Sequence, residues 1–187
     1  MFDQCRALAF EPVTGKRLWS FPTQGWMYGT PAFGPLFVYV GSQDRGIYAI
    51  DKQSGKQVWC VTADSRTEGA PAITERFLYQ GSCDATLRSI DVAVERVAWS
   101  FTAPVPAGAT EAISSRPVVA GDLVCFATVE GTVYGIDRVK GTERWRVRPC
   151  EGSSITADLA SDGERLFVVV NRTDQGGQEG VVAIAMR

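Results

Sequence analysis

The residues that could do chemistry are few in kind. Histidine is absent from all 187 residues, which removes the commonest general acid–base, the commonest metal ligand and every Ser-His-Asp or Cys-His arrangement. Five cysteines (Cys5, Cys60, Cys83, Cys125, Cys150) lie far apart with no C-x-x-C pair. Cys5, Cys60 and Cys125 fall in or beside expected strands, where a reduced thiol serves as a small apolar residue. An odd, scattered set gives no disulfide framework and favours a reducing compartment, so a cytoplasmic location is expected, with the periplasm open if the N-terminus is truncated. Nothing in the sequence supplies the electropositive setting that a reactive thiolate needs. Carboxylates and arginines placed at turns are what remain.

Charge narrows the classes further. The formal net charge is −2, from 19 Lys+Arg against 21 Asp+Glu, without blocks of one sign. Neither a nucleic-acid footprint nor a polybasic membrane anchor is present. No apolar run approaches the roughly 18 residues of a membrane span, and Met1-Phe-Asp-Gln-Cys-Arg lacks the apolar core of a secretory signal.

The elements that must position these groups come from a repeat. Ile47-Tyr-Ala-Ile-Asp-Lys-Gln-Ser-Gly-Lys-Gln-Val-Trp59 reads as strand, glycine turn, strand, ending on an indole. Copies end at Trp19, Trp99 and Trp145; Trp19, Trp59 and Trp99 are 40 residues apart and Trp145 follows after 46. Short-stranded units at a period of about forty residues are the signature of propeller blades. The fold class expected is all-β: a β-propeller of four-stranded antiparallel blades in a single domain, 1–187. The blades fall at about 2–21 (partial), 23–61, 63–101, 103–147 and 152–187 (without a last strand).

Within a unit, Gly29-Thr-Pro31-Ala-Phe33 reads as a short inner strand, matched by Gly69-Ala-Pro71-Ala-Ile73. Leu36 to Gly41 is a second strand, apolar enough to be buried on both faces. Ser42 to Gly46 is a hairpin turn. In the third copy Glu95 stands where the turn glycine belongs, so a looser or different turn is expected there. The six extra residues of the fourth unit fall between Trp99 and Pro117, a junction where extra loop length costs little. In the last unit Thr156 to Leu159 reads as a degenerate inner strand, and Asn171 to Gly180 as a long polar hairpin. The strands exceed a closed ring of four blades by one, with the third strand duplicated at the two ends. That favours a segment of a larger, seven- or eight-bladed propeller, with open blade edges able to self-associate. Closure with the first tryptophan strand completing the last blade is the alternative.

The Ala/Ile-Asp-x-x-x-Gly-Lys-x-x-Trp pattern, best kept at Ala49, Asp51, Gly55 and Trp59, resembles the PQQ-binding-like β-propeller repeat with its tryptophan-docking motif. Glu11, Ser89, Glu95 and Gly135 depart from it. The resemblance implies that Trp19, Trp59, Trp99 and Trp145 dock on the neighbouring blade and that Gly15, Gly55 and Gly141 make the turns, all structural roles. A mostly buried indole contributes a few kcal/mol and its N–H needs a partner.

The family's quinone dehydrogenases hold the quinone cofactor with calcium on Glu, Asn and Asp, often beside a vicinal cysteine pair. No such pair and no transferable catalytic motif occurs here. Other members are scaffolds, among them the outer-membrane assembly lipoprotein, or sensor propellers. The expected function is therefore a non-catalytic module that binds a protein partner. The alternative is a truncated quinone-dependent dehydrogenase or small-ligand-binding domain, with PQQ and calcium.

One face of such a propeller carries the outer-to-inner loops and the turns between strands two and three. Asp44, Asp84, Glu130 and Glu151 belong to it, the first three at turns where an acid caps its own backbone. The candidate interaction residues on it are Trp26, Tyr28, Arg45, Arg66, Glu68, Glu111 and Arg116. Trp26 lies outside the repeat register on a polar loop beside Met27 and Tyr28, a plausible contact patch. Arg116 replaces a small residue before the inner-strand proline and is expected at the axis, paired with Glu68 or Glu111 or holding an anionic group.

Overall fold

The computed structural model describes residues 5–105, 112–173 and 176–186, and every regular element in them is a strand. β1 (Arg6–Phe10) and β2 (Arg17–Pro22) form a two-stranded hairpin. Three four-stranded antiparallel sheets follow. The first is β3 (Ala32–Phe33), β4 (Phe37–Gly41), β5 (Gly46–Asp51) and β6 (Gln57–Thr62). The second is β7 (Ala72–Ile73), β8 (Phe77–Gly81), β9 (Thr86–Asp91) and β10 (Arg96–Thr102). The third is β11 (Val118–Ala120), β12 (Leu123–Ala127), β13 (Val133–Asp137) and β14 (Glu143–Val147). In the last sheet β16 (Ala160–Ser161), β17 (Arg165–Arg172) and β18 (Gly180–Ala185) pair in order, and β15 (Ser153–Ser154) pairs with the far end of β17. The molecule is a partial β-propeller.

The second strands are buried on both faces because their sequences have no polar side: Phe-Val-Tyr-Val-Gly in β4 and Leu-Val-Cys-Phe-Ala in β12 are buried from their second residue onward. The core is a series of interfaces between neighbouring sheets. Tyr39, Ile47 and Ala49 meet Leu78 and Ile90. Tyr79 and Leu87 meet Val124, Phe126 and Ile136. Cys125 and Val133 meet Ile155, Leu166 and Val168. Each sheet thus depends chiefly on its neighbours, as in other repeat folds.

Each repeat tryptophan faces a small residue across its hairpin: Ala9 opposite Trp19, Ala49 opposite Trp59, Ser89 opposite Trp99 and Gly135 opposite Trp145. The register shifts beside each of these pairs, a bulge that twists the outer strand. At Gly135 the reason for small size is explicit, since a Cβ there would come within 2.3 Å of the Trp145 ring.

Two sequence expectations need correction, and the alternative of a closed ring is not seen. Glu95 does not make a different turn: it adopts the left-handed φ of +59° and donates Glu95 N–H to Asp91 O at 2.8 Å, just as Gly55 does to Asp51 O at 2.9 Å. The inner strand of the last sheet is Ala160–Ser161 rather than residues 156–159, because Leu159 is buried in the core. The first tryptophan strand does not close the ring, since β2 pairs with β1 and β18 with β17.

Candidate functional site

The tryptophans act between sheets. Trp19 Nε1 donates to Lys52 O at 2.8 Å, and its ring lies so close to Gly55 that a Cβ there would sit 2.5 Å from it. Trp99 Nε1 donates to Arg138 O at 3.1 Å over Gly141, with a corresponding clearance of 2.6 Å. Trp145 packs with Ile155 and Leu159 of the last sheet. The turn at Gly15 has the same φ, +69°, as Gly141, but nothing lies within 4 Å of where its Cβ would be. Trp59 is buried, yet its Nε1 has no hydrogen-bond partner among the described residues. The equivalent turn carries Glu95 in place of the glycine on which the other two rings rest.

The turn acids are committed to their own backbones. Asp51 Oδ1 accepts from both the N–H and hydroxyl of Ser54 at 2.7 Å, and those bonds, the hydroxyl's first, hold its carboxyl below the usual range. Asp44 accepts from Gly46 N–H at 2.8 Å, from Gln24 N–H at 2.8 Å and from the Tyr48 hydroxyl at 3.0 Å. Burial pushes Asp84 up, but bonds from Ser82 and Arg88 outweigh it and leave the carboxyl lowered. Few lone pairs remain for a ligand on these acids.

Arg88 is a residue that sequence reading missed. Its repeat counterparts are Leu8, Tyr48 and Tyr134, so its signal was a cation in an otherwise apolar or aromatic position. Its side chain is buried and reaches Ser82 Oγ and Asp64 Oδ2, each at 2.6 Å, and Asp84 Oδ2 at 3.4 Å.

On the loop face, Trp26 and Tyr28 are each 59% exposed and stand edge to face, with ring centroids 5.8 Å apart. Their loop is tied down: Gln43 N–H donates to Trp26 O at 2.8 Å, the Thr23 hydroxyl to Gly25 O at 2.8 Å, and Met27 packs on the Phe21–Val38 cluster. Arg45 is exposed with φ +76°. Glu68 accepts from Gln43 Nε2 at 2.6 Å and lies 4.0 Å from Arg66. Arg116 does not pair with Glu68; its N–H donates to Asp158 Oδ1 at 2.8 Å, and the residue lines a cavity with the inner-strand prolines. Glu111 lies outside the described residues.

Strand pairing puts equivalent residues of four sheets at equal height along that axis, because Ala32, Ala72, Val118 and Ala160 occupy matching registers. Four residues earlier come Tyr28, Glu68, Ser114 and Thr156, which line a cavity of about 460 Å³ together with Thr30, Gln43 and Asp158. Below it the same segments line a second cavity of about 460 Å³ with Pro31, Phe33, Pro71, Ile73, Pro117, Val119 and Arg116. Tyr28 and Glu68 therefore share one space, Arg116 faces the other, and Trp26 abuts Tyr28. Ser114, Thr156 and Asp158 carried no individual signal in the sequence, since only the register brings them together.

Among the described residues no three Asp, Glu or Cys side chains converge to hold a metal ion, and calcium needs six to eight oxygens.

Comparison with solved structures places the fold. BamB from Moraxella catarrhalis aligns over 97% of this chain and 55% of its own, with 19% identity and a TM-score of 0.80. The computationally designed Ika8 protein aligns over 100% and 57%, with 17% identity and a TM-score of 0.77. A quinohemoprotein alcohol dehydrogenase from Pseudomonas putida HK5 aligns over 86% and 34%, with 17% identity and a TM-score of 0.72. The chain thus spans little more than half the length of the first two. No curated protein sequence matches it. Residues 5–186 match the family model described as outer membrane protein assembly factor BamB, and the chain belongs to that family of PQQ-like repeat propellers.

Proposed function

We propose that the chain is a non-catalytic propeller module that docks a protein partner of outer-membrane protein assembly on its loop face. The observation that carries this reading is the exposed Trp26–Tyr28 pair on a hydrogen-bonded loop. Two large aromatic surfaces held rigidly in water favour association, because little side-chain entropy is lost when they are covered. Family membership supports the class of partner and points to the periplasm. The cytoplasmic preference drawn from the unpaired cysteines gives way to it, since a buried thiol such as Cys125 serves packing in any compartment.

A photo-crosslinking residue at Trp26, set against one at Val139 on the opposite-end turn between β13 and β14, tests this. The expected result is a discrete adduct with an outer-membrane assembly component from position 26 alone. Identical adducts from both positions, or none, would overturn the reading. So would stoichiometric uptake of the quinone with calcium, which would restore the dehydrogenase alternative.

A further inference from the structure

We infer that the upper axial cavity is a binding site for a lysine side chain carried on an extended apolar segment of the partner. The inference rests on the loop face being the docking face. Four residues at one height, Tyr28, Glu68, Ser114 and Thr156, wall this cavity, and Asp158 joins from the layer below. Two carboxylates and several hydroxyls are thus gathered in a concave space with no lysine or arginine among its lining residues. Carboxylates on a concave wall focus the field and strengthen attraction for a cation, and Arg66, 4.0 Å from Glu68 with its own side chain 60% exposed, offsets only part of that charge.

The carboxylates are oriented rather than loose. Gln43 holds Glu68 Oε1, and Arg116 N–H holds Asp158 Oδ1. The Tyr28 ring, backed by Trp26, adds an aromatic surface at the rim that a passing alkylammonium can cover.

The lower cavity argues for a peptide rather than a free amine. Directly beneath the polar layer the same segments present Pro31, Phe33, Pro71, Ile73 and Val119. Phe33 is 63% exposed there. Proline has no N–H to offer an added strand, so recognition runs through side chains: aliphatic groups against the lower wall, an ammonium in the upper cavity. Arg116, the one charge lining the lower cavity, disfavours a second cation below and fixes which way the segment lies.

Three synthetic nonapeptides of alternating Val and Ala, differing only in a central Lys, Gln or Glu, test the inference by calorimetry. The lysine peptide is expected to bind at least tenfold more tightly than the other two, and more tightly than spermidine. Glu68→Gln and Asp158→Asn keep the acceptor oxygens that Gln43 and Arg116 use, so both variants retain the local bonds; each should cut the lysine preference severalfold, and together they should abolish it. Equal binding of the three peptides, a preference surviving both substitutions, or spermidine binding as tightly as the lysine peptide would overturn the inference. If it fails while position-26 crosslinks persist, lysine recognition falls and the docking face stands; loss of the crosslinks as well removes both.

Discussion

Replacing Glu95 by glycine should stabilise this protein. Glu95 holds φ at +59°, a conformation that costs a residue with a Cβ about 1–2 kcal/mol. At the turn equivalent to Gly55 and Gly141 it also adds a Cβ where the Trp19 and Trp99 rings meet none, and the buried Trp59 indole N–H is unpartnered, at a cost of about 1–3 kcal/mol. Glycine would remove the strain and let Trp59 Nε1 reach the Val92 carbonyl, the equivalent of Lys52 O and Arg138 O. Against this stands the greater freedom that glycine gives the unfolded chain, about 0.5–1 kcal/mol. The net gain is about 2 kcal/mol, or a rise in Tm of roughly 4–8 °C for a chain of this size. Calorimetry on Glu95→Gly and Glu95→Ala separates the causes, since alanine removes the charge and keeps the Cβ. A slowly exchanging Trp59 indole proton should appear only in the glycine variant. As a converse, Gly141→Ala places a Cβ 2.6 Å from the Trp99 ring at φ +69° and should cost roughly 3 kcal/mol. Equal Tm values for the glycine and alanine variants of position 95 would refute the reasoning.

Two further outcomes follow from the same geometry. Asp51, Asp91 and Asp137 have carboxyls lowered by bonds from Ser54, from Arg76 and from the Lys140 N–H respectively. A group depressed in the folded state contributes stability fully above its unfolded value, 3.8 here, and loses it as pH falls through the folded value. Urea midpoints should therefore hold from neutral pH to about 4.5 and drop below about 4, with a shallower drop in Asp137→Asn; a decline centred near pH 6 would contradict this. Burial pushes the Cys125 thiol up to about 12, whereas Cys60 is exposed. At pH 8 a maleimide should modify Cys125 only as fast as the protein unfolds, and faster modification would show that the core between the third and last sheets opens locally.

Much of the architecture is written at short range. The tryptophan spacing and the small residues opposite each indole are set by strand periodicity and by the volume of one side chain, and both can be read residue by residue. Position 95 shows the limit of such reading. Local preference disfavours a left-handed glutamate, but the hairpin register and the bond to Asp91 O impose it, so tertiary context overrides propensity. The inner strand of the last sheet misled for a similar reason: residues 156–159 look like a strand until Leu159 is needed in the core. Trp26 and Tyr28 stood out because they break the repeat. Glu68, Ser114, Thr156 and Asp158 did not, since no single one is unusual; their proximity comes only from how four sheets align about an axis.

That alignment divides the repeat into two kinds of position. Where an indole lands, every unit must answer with a small residue or suffer for it, so those sites are locked to one another around the arc. At the axial heights nothing comparable holds: a tyrosine, a glutamate, a serine and a threonine stand at equivalent points, and the sheets beneath them are built alike. A repeating scaffold of this kind can become asymmetric one quadrant at a time. Its recognition surface is therefore free to diverge by single substitutions without renegotiating the fold.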